Sequence, residues 1–388
     1  MKKIKVIHIS DLHISEHLLR DPDLHFKLPH RYGHDIQVFL ALDHFLNNND
    51  WDVLAITGDI SRIGNSESYE LLRNWIYNKI NVEDIEVGLN ISAEESKHCI
   101  VIPGNHDCFN GNLMQEGLEN YNREFDEVIR DHVVSKTFGN KTVNFHLFDS
   151  TWDKGGFAEG RIDPADMVVK NIEKESYDIA LMHHHFIQPP KHKREKSTEL
   201  QNSDKVAAYM LNSGFNCVMF GHTHQGYIGK PSIKALTKIL SDKRTSGKFW
   251  KRLAQKVHLV KKDPNCLVSY KRESTKSGQL PTLESYFNYL YIQSEINSTA
   301  LPPSEFDTAA QFHAHIKQIT KDNSLSERMK TLKEKRILVS LAPSACQAEA
   351  IWKGFNVINI SKDNVSSYDR YQFNGAKFEL KDRDEHIS

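Results

Sequence analysis

The sequence contains no CxxC pair, and its five cysteines, Cys99, Cys108, Cys217, Cys266 and Cys346, are odd in number and scattered. That pattern implies no disulfide framework. No apolar run approaches membrane-spanning length, and the opening MKKIKVIHISD reaches Asp11 too soon for a secretory signal. Neither sign of charge prevails: 50 Lys and Arg against 51 Asp and Glu leave −1, so the molecule as a whole announces no polyanionic partner. No repeat or low-complexity tract occurs. These absences point to a reducing, cytoplasmic setting. The 388 residues, 39% of them hydrophobic, suffice for one large domain with an insertion, or for two domains.

Histidine, by contrast, is plentiful, at 21 residues. His8, His44, His98, His132, His146, His258, His313, His315 and His386 fall outside any ligand pattern. The informative ones follow short apolar runs. IKVIHISDLH runs through Ile4, Val6, Ile7 and Ile9 and then delivers Asp11 and His13. WDVLAITGD delivers Asp59, and VIPGNHDCF delivers Asn105, His106 and Asp107 after a Pro-Gly stop. YDIALMHHH delivers His183, and FNCVMFGHTH delivers His222 and His224. Each reads as a buried strand with a metal-type side chain at its carboxyl end. In open α/β sheets that edge is where ligands bind.

Between these strands the spacing predicts helices. Ile36, Phe39, Leu42, Phe45 and Leu46 form one stripe. Tyr69, Leu72, Trp75 and Ile76 form a second, with Ser66 as its cap, and Leu118, Tyr121, Phe125, Val128 and Ile129 a third. Strand then helix, repeated, predicts an α/β fold, and these stripes read as core.

Asp11, His13, Asp59, Asn105, His183, His222 and His224 mix carboxylate, imidazole and amide without thiolate. That mixture suits manganese, iron, zinc or nickel rather than calcium. Seven ligands are too many for one transition ion and about right for two. In extended chain, residues i and i+2 point the same way, so Asp11 with His13, and His222 with His224, are each expected to serve one ion. By the same rule His184 is expected to point away from His183, and His185 to point the same way as His183. His17, His25, His30 and His34 lie in the segment after His13, expected to overhang the site.

DLH, GD, GNHD, a lone His after a strand, and GHTH, in that order, resemble the calcineurin-like metallophosphoesterases over residues 4–224, and the resemblance resumes at RILVSLAPSACQ and GFNVINI. It implies a β-sheet sandwich flanked by helices, holding two divalent transition ions with manganese foremost. The first ion is expected on Asp11, His13, Asp59 and His224, the second on Asp59, Asn105, His183 and His222. A metal-bridging hydroxide would attack phosphorus while His106 assists the leaving oxygen and Asp107 orients His106. GDISRIG and GNHD depart from the protein Ser/Thr phosphatase pattern, and Ile63 and its neighbours offer no Tyr shortly after Asp59 as in purple acid phosphatases. The motifs are nearest to the cyclic-nucleotide phosphodiesterase branch, to which HLFDS (146–150) and AEGRI (158–162) are also similar. The implied function is hydrolysis of a phosphodiester in a nucleotide or cyclic nucleotide, with His34, Arg161 and His185 as substrate contacts. The rivals are a metal-dependent nuclease of the same fold and an inactive scaffold; against the latter, every expected ligand and His106 are present.

Between His224 and Ile337 the chain is longer than this fold needs. Lys234 to Lys276 holds thirteen Lys or Arg against three acids, a net of +10, which leaves −11 for the rest. Two stripes there, Ile233 to Leu240 and Phe249 to Val257, are amphipathic at helical spacing. The segment reads as a helical cap on an acidic core domain, or as a platform for DNA or RNA. KHKREK (191–196) is a second basic loop. The expected division is residues 1–230 with 337–381 as catalytic domain, 231–336 as basic, largely helical insertion, and 382–388 as tail.

Overall fold

The computed structural model describes residues 3–15, 34–82, 84–92, 97–108, 114–125, 132–151, 160–167, 176–186, 200–203, 206, 209–210, 213–224, 226–230, 276–277, 289, 305–321, 327, 337–346, 350, 352–361 and 366–384. His17, His25, His30, the 191–196 loop and both amphipathic stripes of the expected insertion lie outside them, as do Val128 and Ile129.

In chain order the strands are β1 (Ile4–Ile9), β2 (Val53–Thr57), β3 (Ile80–Val82), β4 (Ile85–Val87), β5 (His98–Ile102), β6 (His132–Phe138), β7 (Lys141–Leu147), β8 (Tyr177–Leu181), β9 (Cys217–Phe220), β10 (Tyr227–Gly229), β11 (Leu338–Leu341), β12 (Gly354–Ile360), β13 (Ser366–Phe373) and β14 (Phe378–Asp384). The described helices are α1 (Ile36–Asn48), α2 (Ser66–Tyr77), α3 (Met114–Phe125) and α4 (Ala309–Ile319). Six strands form one sheet in the order β14-β13-β12-β1-β2-β5, and six form a second in the order β10-β11-β9-β8-β7-β6. The short β3–β4 ribbon stands apart.

The two sheets share an inner core. Ile4, Val6, Val53, Ala55, Ile100 and Ile102 of the first meet Val143, Phe145, Ile179, Leu181, Cys217 and Met219 of the second. The odd residues Ile7 and Ile9 of β1 face the other way, with Leu54 and Ile56, into a cluster that includes Phe39, Leu42, Leu72 and Trp75 of α1 and α2. Ala180, Val218, Phe220, Val339 and Leu341 do the same on the outer side of the second sheet. Both faces of the central strands are therefore buried, which is why they read as unbroken apolar runs. The sandwich also corrects the idea of a single sheet edge. β1, β2 and β5 end on one sheet and β8 and β9 on the other, so the ligand-bearing ends meet only because the sheets are stacked face to face.

Helix starts follow local chemistry. Asp35 caps α1, its Oδ1 accepting from the amides of Gln37 and Val38. For α2 the cap residue is Asn65 rather than Ser66, which already lies inside the helix. Inside the expected insertion, α4 opens with a reciprocal Thr308–Gln311 capping box. The two closing segments part company: β11 inserts between β9 and β10 in the second sheet, while β12 runs antiparallel to β1 in the first. β14 continues through Asp384, past the expected start of the tail.

Candidate metal centre

The strand ends do not continue extended into the site. Asp11, His13, Asp59, His222 and His224 all have positive φ, between 49° and 70°. Non-glycine residues rarely adopt this left-handed conformation, and its strain concentrates at functional sites. The chain therefore turns sharply as it leaves β1, β2 and β9. Asp11 and His13 do reach one cluster, but through turns rather than through an extended i, i+2 pair. His222 and His224 part: His222 joins His183 and His184, and His224 joins Asp11, His13 and Asp59, the candidate ligand atoms of each group lying within 4.8 Å of one another.

The turns are held by backbone bonds between the loops. Asp11 N donates to Gly58 O at 3.0 Å and His13 N to Asp59 O at 2.9 Å. Gly221 N donates to His183 O at 3.0 Å. Ser344, just past β11, donates its hydroxyl to Asp11 O at 2.8 Å. Gly58, at φ +86°, and Gly104 are needed for close approach, since a Cβ on Gly58 would run into the His183 ring and one on Gly104 into Asp59.

Each carboxylate spends one oxygen on a backbone N–H and turns the other toward imidazoles. Asp11 Oδ2 accepts from His222 N at 3.0 Å, and its Oδ1 lies 3.1 Å from His224 Nε2 and 4.0 Å from His13 Nε2. Asp59 Oδ1 accepts from His106 N at 2.8 Å, and its Oδ2 lies 3.3 Å from His183 Nε2 and 3.8 Å from His13 Nε2. Asp59 thus faces both groups. The second group also includes Asn105, whose Oδ1 is 3.1 Å from His183 Nε2, and His222, whose Nδ1 is 3.2 Å from that same nitrogen. His183 Nδ1 donates to Thr57 O at 2.7 Å, which turns Nε2 inward, toward Asp59 and Asn105.

The electrostatics match a site for positive charge. Burial alone would raise the Asp11 carboxyl, but His224 and His183 overcome it and hold its pKa at about 2. Asp59 is likewise held well below the carboxylate range, against burial, by His183, His106 and His13. Burial takes His13 down to about 3 and His222 well below its ordinary value. Burial opposes charge on His183 too, yet Asp59, Asp11 and the Thr57 carbonyl carry it up to about 9. Two fixed negative charges therefore call for cations among the ring nitrogens. His13 Nε2 is buried and makes no hydrogen bond while standing near both carboxylates. An oxygen and imidazole set of this kind, without sulfur, fits divalent transition ions.

His106 and Asp107 occupy different places. The His106 ring is partly exposed, lies 4.6 Å from the His13 ring, and its Nδ1 is 2.7 Å from Arg62 O. Asp107 is fully buried and accepts from Ile60 N, Ser61 N, Gly104 N and the Tyr69 hydroxyl. Its carboxylate thereby anchors the loop after Asp59, and the Arg62 carbonyl of that loop meets His106. Burial and the neighbouring Asp59 raise its pKa to about 7, against the pull of its three N–H bonds. Among the substrate candidates, His185 is buried with its ring 6.3 Å from His222. Arg161 is bridged to Thr151 and its amide donates to Ser150 O, beside His184. His34 is buried immediately before Asp35, the cap of α1.

A family model described as calcineurin-like phosphoesterase matches residues 4–226. The chain belongs to that family. The matched span carries all seven candidate ligands together with His106 and Asp107. The chain is also similar to a solved purple acid phosphatase, PPD1 from yellow lupin (Lupinus luteus) seeds, at 12% identity and a TM-score of 0.37. That match covers 60% of this chain and 39% of the lupin chain. No curated protein matches the chain.

Several residues that support the site carried no sequence signal of their own. His8 is buried, with Nδ1 2.7 Å from Ser340 Oγ and Nε2 2.9 Å from Thr57 Oγ1, so it joins the two sheets beneath the ligands. Burial pushes its pKa down to about 3, so it is neutral. Ser10 donates to Thr57 O at 2.9 Å. His184, expected to point away, instead packs its ring 4.5 Å from that of His222. The extended geometry assumed for MHHHF ends with β8 at Leu181, and alternation ends with it.

Proposed function

We propose that this phosphoesterase hydrolyses a phosphodiester of a nucleotide or cyclic nucleotide, using two divalent transition ions. The observation that carries the reading is Asp59, whose Oδ2 faces His13 of one ligand group and His183 of the other. Asp11, His13, Asp59 and His224 would hold one ion, and Asp59, Asn105, His183 and His222 the other. Such ions supply Lewis acidity at phosphoryl oxygens and an acidified water as nucleophile.

The protein's own groups do the rest. His224, with 31% of its side chain exposed, and the partly exposed His106 mark the open side of an otherwise buried cluster, where a phosphodiester can enter. The Arg62 carbonyl accepts from His106 Nδ1 and orients the ring, and it is as imidazolium, with a second proton on Nε2, that His106 would protonate the leaving oxygen. Asp107 keeps the Asp59 and His106 loops in register. Arg161, His34 and His185 are the proposed substrate contacts.

Residues 1–230 with 337–381 make up the proposed catalytic domain, manganese is the proposed metal, and the cytoplasm the proposed setting. The +10 segment at 234–276 favours one alternative, a nuclease that grips a nucleic-acid backbone. One experiment tests these readings together. The protein is purified with manganese, and bis(p-nitrophenyl) phosphate, cyclic nucleotides and single-stranded DNA are offered side by side. Turnover of cyclic nucleotides supports the first reading, salt-sensitive retention and cutting of DNA the second, and no metal-dependent turnover of any of them overturns both.

A further inference from the structure

His183, His184 and His222 together resemble a three-imidazole cation site. We infer that His184 is not a ligand but a positioning residue, locked by Ser150 with its proton on Nε2. The inference rests on the two-ion reading only for the identity of the ligands that His184 supports.

Three contacts converge on Ser150 Oγ. The amide of His183 donates to it at 3.2 Å, the amide of His184 donates to it at 3.1 Å, and His184 Nδ1 lies 2.9 Å away. A hydroxyl has two lone pairs and one proton. The two amides take both lone pairs, so the third contact has to use the proton. Ser150 therefore donates to His184 Nδ1, which is bare, and the neutral ring carries its hydrogen on Nε2. His183 has the opposite arrangement. Its Nδ1 faces a carbonyl, Thr57 O, at 2.7 Å, and a carbonyl only accepts. Consecutive histidines thus meet opposite partners at Nδ1, an accepting carbonyl beside His183 and a donating hydroxyl beside His184.

A ring nitrogen can ligate a metal only after losing its proton. His184 Nε2 keeps its proton because Nδ1 is already satisfied by Ser150, and Nδ1 could ligate only by breaking that bond. The ring has a packing role instead. It lies 4.5 Å from the His222 ring and 5.0 Å from the His183 ring. Behind it is Gly160, where a Cβ would collide with the His184 imidazole. One oxygen, Ser150 Oγ, therefore holds both the backbone of the ligand His183 and the tautomer of the imidazole that backs His183 and His222. The donors left to the second ion are His183, His222, Asn105 and Asp59.

Histidine-selective ¹⁵N labelling with long-range ¹H–¹⁵N correlation reads the tautomers directly, with His184→Gln assigning the signal. The expected result is an Nε2-protonated His184 in the metal-free protein that stays so after zinc is added, while His183 and His222 shift. An Nδ1-protonated His184, or loss of its proton on zinc addition, overturns the inference. If zinc moves neither His183 nor His222 while His184 holds the stated tautomer, the two-ion reading fails and the tautomer assignment stands. Ser150→Ala should weaken zinc binding at one of two positions by about 10–100-fold, as loss of an orienting partner typically does. Ser150→Thr should restore it. Unchanged zinc affinity in folded Ser150→Ala overturns the positioning role, and should that variant fail to fold, the same affinity comparison on His184→Gln decides.

Discussion

Oδ2 of Asp59 lies 3.3 Å from Nε2 of His183. The same oxygen is 3.8 Å from His13 Nε2, so one carboxylate serves both ligand groups. Asp59→Asn should therefore weaken metal binding at both positions rather than at one. Elemental analysis of the wild type under saturating manganese should find close to two ions per chain, and the variant clearly fewer. A single tightly held ion with full activity in the wild type would contradict the shared-carboxylate arrangement.

His106→Ala should keep the fold and the metal content but lose turnover. Removal of a general acid typically costs about 10²–10⁴-fold in rate. The loss should be largest for alkyl leaving groups, which need a proton, and smallest for nitrophenolate, which does not. Steady-state rates on a matched pair of diesters check this, and loss of metal along with activity would make His106 a ligand instead.

Asp107 accepts from three backbone amides and the Tyr69 hydroxyl in a fully buried setting. Asp107→Ala strands the three amides, each costing about 1–3 kcal/mol as a buried donor left without its partner, while the Tyr69 hydroxyl keeps its 2.8 Å bond to the Asp107 carbonyl. The variant should melt well below the wild type and lose metal affinity as the Asp59 loop loosens. Tyr69→Phe removes one bond only and should cost about 1 kcal/mol. Thermal melts of both in the metal-free state separate the two effects.

On the second sheet, Asp178 Oδ1 lies 2.7 Å from His146 Nε2 and 3.1 Å from Asn144 Nδ2, and its Oδ2 accepts from Ser176. Burial would raise this carboxyl, yet His146, Ser176 and Asn144 together lower its pKa. A carboxyl depressed on folding contributes stability that is present above its unfolded pKa and lost as pH falls through the folded value. Asp178→Asn should therefore lower stability at neutral pH and narrow its gap to the wild type under acid. Denaturant titrations at neutral and strongly acid pH test the sign, and a gap that widens under acid would refute it.

Much of this architecture is local enough to read from the chain. Strands such as Val53–Thr57 and Cys217–Phe220 are buried on both faces, so their apolar runs are continuous and the polar residue that ends each run stands out. Helical stripes such as Tyr69, Leu72 and Trp75 follow from a period of 3.6 residues. The hairpin β6–β7 and the terminal strands β13 and β14 are not legible in the same way. No continuous apolar run announces them, since polar residues such as Thr142 and Asn144 interrupt β7 and charged residues such as Arg370 and Arg383 interrupt β13 and β14.

The sequence alone determined which side chains would end the buried strands, because strand burial and the residue that stops it are neighbours in the chain. Only the tertiary structure decided how those side chains are shared out. Positive φ at Asp11, His13, Asp59, His222 and His224 turns each loop out of the extended geometry that alternation assumes, and this separates His222 from His224. Stacking of two sheets brings His183 to Thr57 and Asp59, 126 residues away in the case of Thr57. The proton on His184 depends on how many donors of the 183–184 loop reach the hydroxyl of Ser150 on another loop, a count that exists only once those loops are packed together.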